Sequence, residues 1–160
     1  MEGRAVGGVV VLGIGSPNGL DDMGWRVVGA IRALVERGVH ANPVVCQTLP
    51  VPDGRVLEAL AGAGLGIVVD ALLDDPENEA GVEAMTRFQD LDEFATGRSI
   101  SSHGLGLAEI LRLGRALGDL PERMWIYAVR VGDGRGPDAA CIDTLAGEIL
   151  ADIEADGLRV

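Results

Sequence analysis

Three side chains in this sequence have the types that bind a divalent metal ion, namely Asp22, Asp70 and His103. Two carboxylates and one imidazole form a mixed oxygen and nitrogen ligand set, which suits an ion such as zinc, nickel or iron. Three protein ligands would leave coordination positions open for water or for a group of a substrate. The residue types therefore predict a metal site with an open side.

The expected positions of these residues support the grouping. Asp22 follows the first predicted strand, Asp70 ends the third, and His103 precedes or opens a leucine-rich helix. Because ligands of an open parallel sheet bind beyond the carboxyl ends of the strands, we expect all three side chains at one edge of the sheet. The second histidine, His40, follows the first helix and is expected at the opposite, amino-terminal edge.

Each of the three residues also has a purely structural explanation. Asp21 or Asp22 could cap the following helix and complement its dipole. Asp70 could accept backbone hydrogen bonds at a strand end, and His103 could be an ordinary residue of a first helical turn. The sequence alone leaves these explanations open.

The segment from Gly13 to Asp22 has the glycines of a phosphate-binding turn and the charge of a metal site. Its Gly13, Gly15 and Gly19 are spaced one residue too widely for the dinucleotide-binding pattern. Two adjacent aspartates would also repel a pyrophosphate at the helix amino terminus. We expect the glycines to let the backbone turn tightly, so that it presents the two acids.

A serine hydrolase is a further alternative, because Ser16, Ser101 and Ser102 accompany His103 and the aspartates. The sequence contains no G-x-S-x-G elbow, however. Ser101 or Ser102 is expected to cap the helix instead.

Apolar runs alternate with helical patterns along the whole chain. This alternation predicts the α/β class, with a three-layer αβα sandwich and a mostly parallel central sheet of about five strands. We expect residues 1–160 to form a single domain. The predicted strands are Val9–Ile14, Val44–Thr48, Ile67–Asp70 and Met124–Val129, and the predicted helices are Gly24–Arg37, Asp53–Ala61, His103–Leu117 and Pro137–Ile153.

An acidic segment, Leu72–Phe94, interrupts this pattern. It carries eight acids against one base, Arg87. One interpretation is a solvated loop with a small strand near Val82–Phe88. The other is a docking edge for a basic peptide.

Composition excludes several classes of partner. The net charge is −12, and all 13 bases are arginines, so the protein is not expected to bind nucleic acid or an anionic membrane. No apolar run reaches the roughly 20 residues of a membrane helix, and no signal peptide is evident, which favours a cytoplasmic location. Cys46 and Cys141 have no metal-binding spacing and are expected to be reduced, buried thiols.

Three motifs together resemble the [NiFe]-hydrogenase maturation endopeptidases. They are Val11-Leu12-Gly13-Ile14-Gly15-Ser16-Pro17 with Asp21-Asp22, then Val68-Val69-Asp70-Ala71, then the stretch from Ile100 to Glu109 that contains His103-Gly104-Leu105-Gly106-Leu107. The similarity runs in order over nearly the whole chain.

The resemblance implies a specific activity. Members of this family are single αβα domains that remove the C-terminal tail of the hydrogenase large-subunit precursor after nickel insertion. It implies that Asp22, Asp70 and His103 are the metal-contacting and catalytic residues of an aspartyl-type, nickel-dependent endopeptidase. The nickel would be supplied by the precursor, and the group that activates the water stays open.

The chain departs from the family pattern at several positions. These are Ser16, Met23 after Asp22, Cys46–Pro50 in place of a glycine-rich turn, and Gly132–Pro137 in place of a Glu-Pro segment. The three metal-binding residues are retained. The alternative function is a non-proteolytic nickel-binding or hydrogenase-assembly scaffold protein on the same fold.

Overall fold

A computed structural model shows that the protein consists of a five-stranded sheet with helices on both faces. The structure describes residues 8–15, 22–38, 43–73, 85–95, 102–131 and 138–157. The strands are β1 (Val9–Ile14), β2 (Val44–Leu49), β3 (Leu65–Leu73), β4 (Met85–Phe88) and β5 (Arg123–Val131). The helices are α1 (Met23–Glu36), α2 (Arg55–Leu60), α3 (Leu91–Ala95), α4 (Ser102–Leu117) and α5 (Ala139–Gly157).

The sheet has the strand order β2-β1-β3-β5-β4. All neighbouring pairs are parallel except β4 and β5, which are antiparallel. Parallel strands need crossover connections, and these place helices over both faces of the sheet. The predicted three-layer αβα fold with a mostly parallel sheet of about five strands is therefore confirmed.

Two apolar clusters, one on each face of the sheet, form the core. Helices α1 and α5 pack on one face, where Val69 and Tyr127 of the sheet point. Helices α2 and α4, with Phe94 of α3, pack on the other face, where Val68 and Ile126 point. Consecutive strand residues thus face opposite layers, as the period of two in a strand requires.

The central strands differ in length, and this difference creates the edge where a ligand could bind. The β1–β3 ladder ends at the pair Gly13–Val69, whereas the β3–β5 ladder continues to Leu73–Val131. The carboxyl end of β3 therefore extends four residues beyond its last pairing with β1. Asp70 is the first residue of this extension.

Several predicted boundaries need correction. Strand β3 continues three residues past Asp70, because its later residues still pair with β5. Helix α2 begins at Arg55 rather than Asp53, because the Asp53 carboxylate instead accepts a hydrogen bond from the backbone N–H of Arg55 at 3.0 Å. The small strand predicted near Val82–Phe88 is found as the antiparallel edge strand β4, and the short helix α3 was not predicted.

The cysteines differ in part from expectation. Cys46 and Cys141 are both free thiols, as predicted, but both are half-buried rather than buried. Burial nevertheless raises the pKa of the Cys46 thiol, and the nearby Arg32 guanidinium opposes part of this shift.

No helix within the described ranges has the length and apolarity that crossing a lipid bilayer requires.

Helix α1 approaches the sheet unusually closely at Gly24. A Cβ atom on Gly24 would lie 2.4 Å from the carbonyl oxygen of Ile14 and 2.5 Å from that of Val69. A Cβ atom on Gly13 would likewise lie 2.6 Å from the carbonyl oxygen of Gly24. The first turn of α1 can rest on the carboxyl ends of β1 and β3 only because both positions lack a side chain.

We predict that Gly24→Ala lowers the free energy of unfolding by about 3 kcal/mol, because the added methyl group meets two backbone oxygens that cannot rotate away. The matched control is Gly29→Ala in the same helix, where a Cβ atom has no neighbour within 4 Å. This control should raise the stability by about 1 kcal/mol through helix propensity. Urea denaturation of both variants measures the difference, and equal effects would contradict the close approach.

Candidate functional site

Asp22 stands at the N-cap position of α1 but does not cap it with its side chain. Its φ of −87° and ψ of 2° differ from the extended conformation of a typical N-cap residue. The Oδ1 atom is buried and accepts no hydrogen bond from the residues described. The capping explanation therefore fails for the Asp22 side chain, and a buried carboxylate oxygen is left for another partner.

Asp70 is the buried acid of the central strands and is only 2% exposed. Its Oδ1 atom accepts a hydrogen bond from the backbone N–H of Ala71 at 2.8 Å. The structural explanation, a carboxylate that accepts a backbone hydrogen bond, thus holds for one of its oxygens. Alternation along β3 places the Asp70 side chain on the face covered by α4, together with Val68.

The packing at Gly24 places the two aspartates at the same part of the sheet edge. Gly24 rests on the carbonyl oxygen of Val69, the residue before Asp70, and Asp22 lies two residues before Gly24. The β1–β3 ladder ends at Val69, so no residue of β1 pairs with Asp70 in this ladder. Both carboxylates therefore lie where the carboxyl ends of β1 and β3 meet the amino end of α1.

His103 belongs to the first turn of α4, since this helix begins at Ser102. A Cβ atom on Gly106 would lie 3.2 Å from Cγ of Pro52, which follows β2. The amino end of α4 therefore lies at the carboxyl edge of the sheet, as predicted. The His103 side chain lies outside the part of the chain described, and among described residues no group of three His, Cys, Asp or Glu side chains is placed to hold a metal ion.

Several alternatives from the sequence lie outside the described residues, among them Asp21, Ser16, Ser101, His40 and Gly19. The expected reason for the glycines does need correction. Gly13 belongs to β1 and permits close packing with α1, rather than a turn. Gly15 is buried after the strand, and its N–H donates to the carbonyl oxygen of Leu49 at 3.0 Å.

Two features of this edge were not predicted from the sequence. The indole N–H of Trp25 donates to the carbonyl oxygen of Leu49 at 2.9 Å, so α1 is tied to the end of β2 beside the site. Arg130 brings a half-buried guanidinium to the carboxyl end of β5. The sequence signal for the second feature was the arginine that directly follows the predicted apolar strand Met124–Val129.

Tyr127 has a strongly shifted pKa and lies on the face of the sheet opposite to Asp70. Burial and a 2.7 Å hydrogen bond to Asp152 raise the pKa of Tyr127 well above its usual range. Arg87 forms an ion pair with the same aspartate at 3.5 Å and lies over the ring of Trp125 at 4.9 Å. This network joins β4 and β5 to α5 and is separate from Asp22 and Asp70.

The fold and the two acids at the carboxyl edge define a class, a three-layer α/β protein with its candidate site beyond the ends of β1 and β3. Searches for this chain found no matching protein-family model and no similar curated protein. Solved structures do match. The hydrogenase maturating endopeptidase HybD from E. coli is 25% identical, with a TM-score of 0.65 over 93% of both chains.

Two further structures give the same result. A solution structure of an endopeptidase from Escherichia coli is 25% identical, with a TM-score of 0.67 over 93% of both chains. The [NiFe] hydrogenase maturation protease HybD from Thermococcus kodakarensis shares the fold at 21% identity, with a TM-score of 0.59 over 91% of this chain and 97% of its own. The chain thus has the fold of the hydrogenase maturation endopeptidases, and the resemblance inferred from its motifs is confirmed.

We predict that Asp22→Ala does not lower the free energy of unfolding, because no capping hydrogen bond is lost and a buried carboxylate oxygen without a donor is removed. The matched control is Asp138→Ala before α5. The Asp138 Oδ1 atom accepts the backbone N–H of Cys141 at 2.8 Å, so its removal should cost about 1 kcal/mol. Equal losses in chemical denaturation would show that Asp22 serves as a helix cap.

Proposed function

We propose that this protein is an endopeptidase that removes the C-terminal tail of a [NiFe]-hydrogenase large-subunit precursor after nickel insertion. The similarity to structures named as hydrogenase maturation endopeptidases supports the protease activity. The retained Asp22, Asp70 and His103 support the recognition of nickel.

The buried Oδ1 atom of Asp22 is the observation that carries the proposal. Burying a carboxylate oxygen without a hydrogen-bond donor costs free energy. Binding of a partner to this oxygen recovers that free energy. A cation is the partner that an anionic oxygen favours. The chain's net charge of −12 also favours a cation over a phosphate.

In this proposal the nickel ion is part of the substrate. Asp22, Asp70 and His103 contact the ion while the precursor's own groups hold it, so the ion fixes the position of the precursor's C-terminal segment. A precursor without nickel would lack this contact. Binding therefore selects a precursor in which nickel insertion is complete.

Hydrolysis of the peptide bond also needs a water that loses a proton as it attacks the carbonyl carbon. A carboxylate at this edge is the general base in the proposal. The backbone N–H of Ala71 already donates to Asp70 Oδ1 and fixes its orientation. Fixed orientation of a catalytic group removes part of the entropic barrier to reaction.

The direct test is incubation of the purified protein with nickel-loaded and nickel-free large-subunit precursor, followed by measurement of tail release by mass spectrometry. We expect cleavage of the loaded precursor alone. Asp22→Asn and Asp70→Asn should lower the rate at least about 100-fold, the usual scale for loss of a general base or of a positioning contact.

The control variant is Asp92→Asn, which removes an exposed carboxylate of α3 that pairs with Arg115 at 3.2 Å. It should cleave at the wild-type rate. Binding of the loaded precursor with no tail release would contradict the protease proposal and would favour the scaffold alternative.

A thermal measurement tests the histidine separately. Nickel should raise the melting temperature of the wild type but not that of His103→Ala, since a ligand that binds only the folded state stabilises it. Equal shifts in the two proteins would remove His103 from the site.

A further inference from the structure

The carbonyl oxygen of Leu49 accepts two hydrogen bonds at the carboxyl end of β2. Gly15 donates its backbone N–H at 3.0 Å, and Trp25 donates its indole N–H at 2.9 Å. A carbonyl oxygen has two lone pairs, so the two donors do not compete. The first bond extends the pairing of Ile14 with Leu49 by one residue. The second ties the first turn of α1 to the end of β2.

The indole bond adds direction to the contact at Gly24. Close packing of Gly24 on the ends of β1 and β3 fixes how near the helix comes to the sheet. A hydrogen bond also has a preferred angle, above about 150° at the hydrogen. Trp25 therefore fixes the rotation of α1 about its own axis, at a position three residues after Asp22.

A small rotation of α1 would displace the Asp22 carboxylate. A side-chain atom about 5 Å from a helix axis moves by about 2 Å when the helix turns by about 20°. Misplacement of a functional group by about 1 Å can lower a rate about 100-fold. The Asp22 side chain makes no capping hydrogen bond that would hold it in place, so its position depends on that of the helix.

The end of β2 also contacts the helix that carries His103. A Cβ atom on Gly106 of α4 would lie 3.2 Å from Cγ of Pro52, which follows Leu49 by three residues. The short segment 49–52 thus contacts the first turn of α1 and the second turn of α4. The helices that carry Asp22 and His103 are both placed against this segment.

We propose that Trp25 is a positioning residue, whose indole N–H holds Asp22 in the orientation that contacts the nickel ion of the substrate. The inference rests on the proposed function, because it takes Asp22 as a contact to that ion. Trp25 itself acts only through α1, as the outer residues that orient metal ligands do in metal sites. Loss of its N–H should therefore weaken the response to nickel beyond any effect on the fold.

Trp25→Phe is the direct test, since phenylalanine keeps an aromatic ring and removes the N–H donor. Leu49 retains the bond from Gly15, so we expect the variant to fold, with a melting temperature about 2–4 °C lower without nickel. The nickel-induced rise in melting temperature should need about tenfold more nickel chloride than in the wild type. A merely structural role would lower the melting temperature without nickel and leave the nickel dependence unchanged, and that result would overturn the inference.

Tyr127→Phe is the matched control. It also removes one donor from an aromatic side chain, namely the hydroxyl that donates to Asp152 at 2.7 Å and joins β5 to α5. Its melting temperature without nickel should fall by a similar amount, and its nickel dependence should equal that of the wild type. A tenfold change in both variants would assign the effect to a general loss of stability and overturn the role of Trp25.

A second measurement uses the wild-type protein alone. If the indole bond favours binding of the ion, the ion must favour the indole bond by the same factor. Saturating zinc, which suits the same ligand set, should slow hydrogen exchange at the Trp25 indole N–H about tenfold relative to that of Trp125, the second tryptophan of the chain. Equal slowing at both tryptophans, or none, would overturn the inference even if Trp25→Phe failed to fold.

Precursor cleavage separates this inference from the proposed function. If the wild type cleaves nickel-loaded precursor and Trp25→Phe responds to nickel as the wild type does, the inference fails while the function stands. If Trp25→Phe needs tenfold more nickel but no protein cleaves the precursor, the inference stands and the protease proposal fails. A wild type that nickel does not stabilise would overturn the inference together with the recognition of nickel.

Discussion

The close approach of α1 to the carboxyl ends of β1 and β3 is the constraint on which the rest of this structure depends. Gly24 lies so close to the carbonyl oxygens of Ile14 and Val69 that a Cβ atom at this position would clash with both. This contact fixes where α1 begins relative to the ends of β1 and β3, and therefore the position of Asp22. It also covers the end of the β1–β3 ladder, beside which Asp70 is buried.

Burial of Asp70 and of the Oδ1 atom of Asp22 has an electrostatic cost that the fold offsets only in part. Ala71 donates its N–H to Asp70, whereas no described residue donates to the Oδ1 atom of Asp22. Arg130 lies on the same face of the sheet as Asp70, and its Nη2 atom donates to Thr86 Oγ1 at 3.4 Å. In the proposed function, the Oδ1 atom of Asp22 is the group at this edge that a cation arriving with the substrate would contact.

The sequence predicted the layers and most of the elements because their apolar periodicity is strong. Strand Val9–Ile14 was located without error. The length of β3 was underestimated because Asp70 was taken as a strand end, although pairing with β5 continues past it. The position of the candidate site at the carboxyl edge was predicted from the alternation of strands and helices along the chain. The role of Gly13 was not predicted, since only the packed structure shows which helix a strand glycine contacts.

Anomalous X-ray scattering at the nickel absorption edge, from crystals of the full chain grown in millimolar nickel, tests the central claim most directly. The account predicts one principal peak, with carboxylate oxygens of Asp22 and Asp70 and a ring nitrogen of His103 each about 2.0–2.2 Å away. A peak elsewhere, for example beside the exposed acids of α3, with none between Asp22 and Asp70, would contradict it.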